Sequence, residues 1–171
     1  LESEDNLARL DRTLAELFAY VDEKVGLEHT LIVLSADHGQ PEVPGHLQEL
    51  GIENAHYFDT ESLDKAPAIA ALKAQFGIGE ELIEAYNQPY LYLNRDLIRE
   101  KALDQAEVEA AVAAELVKFD GVAAAVSSTA LRTASLPDTL LMRAILRNFH
   151  PKRSGDIYVV FEPNVFISDF D

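Results

Sequence analysis

Thr30-Leu31-Ile32-Val33-Leu34-Ser35-Ala36-Asp37-His38-Gly39 is an apolar run that ends in a carboxylate, an imidazole and a glycine. The continuous apolar character of its first six residues suits a central strand covered on both faces rather than an exposed edge. Asp and His side by side where such a strand runs out have the chemistry of two metal ligands. Both types bind zinc through oxygen or nitrogen, and Gly39 lets the chain turn sharply around an ion. In open α/β sheets, ligands bind in the crevice beyond the carboxyl ends of the strands, which is where this pair falls. Two ligands are too few for a catalytic zinc, which takes three from the protein. The competing reading is a plain loop in which Asp37 caps a turn and His38 is half exposed.

Upstream, Leu7, Leu10, Leu14, Leu17, Phe18, Val21 and Val25 recur at spacings of three and four, predicting an amphipathic helix over about residues 4 to 25. Ser3 is the expected N-cap, Glu4 and Asp5 suit the first turn, and Gly26 the stop. Helix, buried strand and polar loop in succession are α/β grammar. From Gln40 onward Pro41, Pro44 and Gly45 mark a loop leaving the sheet.

Helices are then expected over Ala66 to Phe76, ended by Gly77, and over Glu80 to Tyr86. Tyr90 to Asn94 reads as a strand. Asp104-Gln105-Ala106-Glu107 resembles a capping box opening an Ala-rich helix that Gly121 terminates, and Val122 to Val126 reads as the next strand. A second capping box, Ser135-Leu136-Pro137-Asp138, opens a helix ahead of the strand Asp156 to Phe161. Residues 90 to 161 thus predict strand, helix, strand, helix, strand, a small α/β sandwich with its own sheet. The expected organisation is a core part at 1–45, an inserted α/β subdomain at 46–150 and a return toward the core at 151–171.

The composition bounds the chemistry. Among 171 residues, 14 Lys and Arg stand against 30 Asp and Glu, a net charge of −16 that opposes nonspecific binding to nucleic acid or anionic membrane. It also disfavours an anionic small substrate unless bound cations reverse the sign locally. The absence of cysteine excludes disulfides, thiolate metal sites and cysteine nucleophiles. No apolar run reaches membrane-spanning length, so membrane insertion of this segment is not expected. Leu1 to Asp5 is acidic where a secretory leader would begin basic, and with no initiator Met a piece of a longer protein is expected.

Other candidates are weak. His46 and His56 have no chelating spacing, and His29 sits in the turn just before the strand, at the end opposite Asp37, so that about six residues at roughly 3.3 Å each put it about 20 Å away. His150, beside Pro151-Lys152-Arg153, suits a helix end. Ser127, Ser128 and Thr129 lack a neighbouring base or a Gly-x-Ser-x-Gly elbow. Gly77-Ile78-Gly79 lacks the rest of a nucleotide fingerprint.

Leu10-Asp11-Arg12-Thr13-Leu14, Leu34-Ser35-Ala36-Asp37-His38-Gly39 and Arg153-Ser154-Gly155-Asp156 together resemble the alkaline phosphatase superfamily. The resemblance is to its type I phosphodiesterase/nucleotide pyrophosphatase and phosphate-irrepressible alkaline phosphatase branch. It implies an α/β phosphatase-like core, helix plus buried parallel strand, with an inserted α/β cap. It also implies a periplasmic or secreted location and a small phosphate-ester substrate rather than a nucleic acid polymer.

By that resemblance Asp37 and His38 are ligands of one of two zinc ions, which together would activate a Thr or Ser hydroxyl for in-line displacement. That nucleophile, an Asp-x-x-x-His pair and a final His lie outside this chain in the family pattern, so no catalytic residue is assigned within it. Two alternatives stand beside this reading: a ferredoxin-like binding module at residues 90–161, and a sulfatase or phosphomutase of the same superfamily.

Overall fold

A computed structural model describes residues 2–39 and 42–167, and the chain divides into two compact units, Leu1–Pro41 and Glu42–Asp171. The first unit is the helix α1 (Glu2–Lys24), a short 3-10 turn (Leu27–His29) and the stretch carrying the Asp-His pair. Glu2, Glu4 and Asp5 sit in the first turn of α1, so Ser3 lies inside the helix rather than capping it. The chain leaves α1 at Gly26, whose φ of +88° suits a residue without Cβ and whose N–H donates to the carbonyls of Val21 and Asp22.

The strand expected at Thr30 to Ser35 is not formed. Thr30 has extended dihedrals, but residues 30–36 carry no ladder hydrogen bonds, and Leu31 and Leu34 are 87% and 94% exposed. The physical reason is that a strand exists only as a pair, and among its described residues this unit contains no second extended segment to supply the partner. For the same reason the apolar stripe of α1 buries no residue.

The second unit has its own core. Its elements are α2 (Pro44–Glu49), β1 (His56–Phe58), α3 (Pro67–Gln75), β2 (Ile83–Asn87), β3 (Tyr90–Leu93), α4 (Arg95–Glu100), α5 (Gln105–Leu116), β4 (Val122–Ser127), α6 (Ser128–Thr133), α7 (Leu140–Asn148), β5 (Ile157–Phe161) and β6 (Val165–Ile167). β1 and β6 form a parallel pair, and the main sheet is antiparallel in the order β2-β3-β5-β4. Side chains alternate across it along β5. Ile157, Val159 and Phe161 join the larger core under α3, α4 and α5, while Tyr158 and Val160 face Leu131 of α6 and Ile145 of α7.

Several expectations are corrected here. Glu80 to Tyr86 is not a helix: Ile83 to Asn87 pairs with Tyr90 to Leu93 across a turn at Gln88-Pro89. The proline prevents helix continuation, and cross-strand pairing overrides the helical preference of the glutamates. The last helix of the unit opens at Thr139 rather than at Ser135: the Thr139 Oγ1 accepts from the Met142 N–H at 3.2 Å, while Asp138 of the expected capping box is held by Nε and Nη2 of Arg143.

Asp104 does cap α5, accepting from the N–H groups of Ala106 and Glu107. Gly121 does not end that helix, which stops at Leu116. Its φ is +85°, and a Cβ there would meet Val165 and His56 at 3.0–3.1 Å, so glycine is required to start β4. The module imagined at 90–161 is incomplete without β2, and its leading hairpin departs from the β-α-β-β-α-β order of ferredoxin-like folds.

The Arg153-Ser154-Gly155-Asp156 stretch acquires a physical role. The Ser154 hydroxyl accepts from the His150 N–H, and Asp156 is buried beneath the sheet. Gly155 packs so closely that a Cβ would sit 2.7 Å from Cβ of Tyr90 and 3.0 Å from the Leu91 carbonyl. Gly155→Ala is therefore expected to lower stability by about 1–3 kcal/mol through overpacking against backbone that cannot withdraw. Urea unfolding measures it, and a midpoint equal to wild type contradicts the account.

Asp64 ties α3 to β2. Its Oδ1 accepts from the N–H groups of Leu82 and Ile83 at 2.9 and 2.8 Å, and its Oδ2 pairs with Lys73. Burial pushes this carboxyl up, but Lys73 and the two N–H donors outweigh it and hold the carboxyl below its ordinary value of 3.8. A depressed folded-state value means stability present above the unfolded value and lost as pH falls through the folded one. Asp64→Asn should thus be less stable than wild type at neutral pH, with the gap closing below pH 3.8 in paired chemical denaturations. A gap independent of pH would contradict the linkage.

Candidate metal ligands and the buried polar network

Asp37 and His38 directly follow the apolar stretch at residues 30–36, their side chains 86% and 71% exposed. Asp37 Oδ1 accepts from the His38 N–H at 3.0 Å, which turns the two side chains toward one another. His38 Nε2 then stands 3.3 Å from Asp37 Oδ2. Two atoms bound to one tetrahedral zinc at about 2.0–2.1 Å are separated by roughly 3.3 Å, so the pair fits two corners of such an ion.

The other ring nitrogen supports the same use. His38 Nδ1 lies 2.9 Å from the Gly39 carbonyl, which can only accept, so this contact places the proton on Nδ1. In neutral imidazole Nε2 then keeps its lone pair, the arrangement that backbone carbonyls impose on metal-bound histidines. Among the described residues, no group of three or more His, Cys, Asp or Glu side chains is placed to hold a metal ion. The remaining histidines are engaged elsewhere. His29 lies 3.4 Å from Glu28, His46 lies 3.5 Å from Glu49, His56 Nδ1 contacts the Asn54 carbonyl at 2.9 Å, and His150 Nδ1 accepts from the Lys152 N–H.

Ser127, Ser128 and Thr129 cap a helix and donate into a buried network. Ser127 Oγ caps α6 by accepting from the Ala130 N–H. The Ser128 hydroxyl donates to both oxygens of Glu109 at 3.0 Å, and the Thr129 N–H and hydroxyl donate to Oε2 at 3.0 Å. Gln105 bridges from Glu109 Oε1, at 2.8 Å, to Asp156 Oδ1, at 3.3 Å. Asp156 also accepts from Arg95 Nε at 2.7 Å and the Leu93 N–H at 2.8 Å.

This network, with both carboxylates fully buried, crosses the interior of the second unit and joins α4, α5, α6 and the start of β5. Nothing in the sequence singles out Glu109 beyond its place on an otherwise alanine-rich helix face, which is an incongruity for a buried position.

The mixed α/β architecture is shared by many families, and comparison with known proteins specifies which one this chain belongs to. The type I phosphodiesterase/nucleotide pyrophosphatase family matches residues 1–170, and the chain belongs to it. It lies within the alkaline phosphatase superfamily.

A Myroides odoratus protein named calcium-transporting ATPase is 33% identical over the whole chain, which covers 30% of that protein. Alkaline phosphatase PafA of Elizabethkingia meningoseptica is 31% identical over 94% of the chain and 28% of its own length. A crystal structure of wild-type PafA superimposes with a TM-score of 0.81 at 30% identity, over 98% of this chain and 31% of that one. The chain thus spans about three tenths of the curated relatives it matches, and the fold is that of the corresponding part of PafA.

Proposed function

We propose that this chain is the part of a zinc-dependent phosphoester hydrolase that contributes Asp37 and His38 to a two-zinc centre, and that it is catalytically incomplete without the remainder. The observation that carries the reading is the 3.3 Å separation of Asp37 Oδ2 and His38 Nε2, with Nδ1 directed at a carbonyl. Family membership and the alkaline phosphatase names of the relatives support the reaction class. The short share of those relatives that the chain covers supports the incompleteness.

When bound, zinc ions supply Lewis-acid stabilisation of a phosphoryl group and lower the pKa of a coordinated hydroxyl. This chain's contribution is to hold two donor atoms at ligand spacing, with the imidazole tautomer set by Gly39. The substrate is a small phosphate ester, whose charge the bound cations must offset against a net −16. A periplasmic or secreted location fits this role, and no helix among the described residues is long and apolar enough to cross a membrane. Oligomeric state has no bearing on the assignment.

The decisive experiment purifies the longer protein that carries this sequence, measures zinc by elemental analysis, and follows p-nitrophenyl phosphate hydrolysis before and after chelation. About two zinc ions per chain, with activity lost on chelation and restored by zinc, are expected. Full activity in metal-free protein would overturn the proposal.

A further inference from the structure

The charge of this molecule is segregated in a way its average conceals. Five of the 14 basic residues, Arg132, Arg143, Arg147, Lys152 and Arg153, lie between Gly121 and Gly155, where the only acid is Asp138. Arg143 neutralises that acid through two hydrogen bonds of 2.6 and 3.0 Å. The other four cations are exposed, and among the described residues no carboxylate stands within ion-pair distance of them.

The patch is also shaped. Leu140, Arg143, Ala144 and Arg147 recur at the spacing that places residues on one face of a helix, and all four are exposed. The opposite face of α7, with Ile145, Met142 and Leu146, packs on the sheet. The turn carrying Lys152 and Arg153 follows within a few residues of the helix end. At the other end Leu140 is 84% exposed and Leu141 45%, so the cationic stripe is headed by two leucines standing in water.

We propose that the outward face of α7, with the turn after it, docks this chain peripherally on a bilayer containing anionic phospholipid. Charge complementarity selects the occupant: unpaired cations meet lipid phosphates, and the leucines enter the headgroup boundary. Nucleic acid would use the cations but has no place for the leucines. The remaining acids do not forbid the contact, because charges more than about 8–10 Å away are screened at physiological salt. This is surface docking without insertion, and no helix among the described residues is long and apolar enough to cross a membrane.

The test is co-sedimentation of the longer protein that carries this sequence with vesicles of phosphatidylcholine mixed with phosphatidylglycerol, against vesicles of phosphatidylcholine alone and a control without vesicles. Binding to the mixed vesicles only, released by added salt, is expected. Reversing Arg147, Lys152 and Arg153 to Glu should weaken it by more than about a hundredfold, at about fivefold or more per charge. Leu140→Glu should weaken it roughly tenfold.

Reversing Lys65, Arg99 and Lys118 to Glu gives the same net charge outside the patch and should bind like wild type. Circular dichroism and thermal melting confirm that each variant is folded. Absence of binding to the mixed vesicles would overturn the proposal, as would equal weakening by the two triple variants. Displacement by duplex DNA together with wild-type binding of Leu140→Glu would also overturn it, identifying a general polyanion patch instead.

Discussion

Asp37→Ala, made in the active hydrolase, is expected to reduce zinc content and phosphate-ester turnover together, by about a hundredfold or more in turnover. Loss of even an outer partner of a metal ligand costs about 10–100-fold, and in the proposed centre Asp37 is a ligand itself. The substitution also removes the acceptor for the His38 N–H, so the imidazole loses its orientation along with its neighbour. His38→Ala should match it in both measurements. Ser35→Ala, whose exposed hydroxyl contacts only the adjacent Ala36 carbonyl, should match wild type and serves as the local control. Full zinc and full turnover in Asp37→Ala would end the ligand assignment.

The second large effect concerns stability. Glu109→Ala should cost about 3–5 kcal/mol, the scale for removing one member of a buried, hydrogen-bonded charged network. The loss strands the Ser128 hydroxyl, the Thr129 N–H and hydroxyl and one bond of the Gln105 amide, all now satisfied by one carboxylate. Domains are stable by only about 5–15 kcal/mol, so much of the margin would disappear. Glu109→Gln keeps one acceptor oxygen, and the hydroxyls can rotate to accept from its amide, so a smaller loss of about 1–2 kcal/mol is expected. Guanidinium unfolding of the two variants checks both the size and the order. A Glu109→Ala protein within about 0.5 kcal/mol of wild type would show the network to be energetically idle.

Legibility of the fold from the sequence followed the range of the forces involved. Elements set by neighbouring residues were readable: α1 from its apolar repeat, α5 from Asp104, β3 and β5 from their aromatic and aliphatic runs, and β4 from the valines that follow Gly121. Elements set by distant partners were not. β2 exists because Tyr90 to Leu93 lies across a tight turn from it, and β1 because Val165 to Ile167 returns beside it some hundred residues later. The stretch at Thr30 to Ser35 failed in the opposite sense, since its composition is that of a paired strand while the described residues of its unit offer nothing to pair with.

The candidate site divides along the same line. Asp37 and His38 are adjacent in sequence, so their juxtaposition needed no tertiary information, whereas the network of Glu109, Gln105 and Asp156 joins residues about fifty positions apart. The role of Gly155 was equally hidden, because the crowding atoms belong to β3.

Leu31-Ile32-Val33-Leu34 has a meaning for how this polypeptide behaves outside its family setting. Four uncharged, β-prone residues without proline or glycine, standing in water with open backbone donors and acceptors, are the composition from which cross-β stacks grow. The proposed ligands Asp37 and His38 follow directly on that adhesive stretch. Solubility and the placement of Asp37 and His38 are therefore linked, because a segment that paired with residues 30–36 would shield them from self-stacking and would fix the stretch that leads into the Asp-His pair.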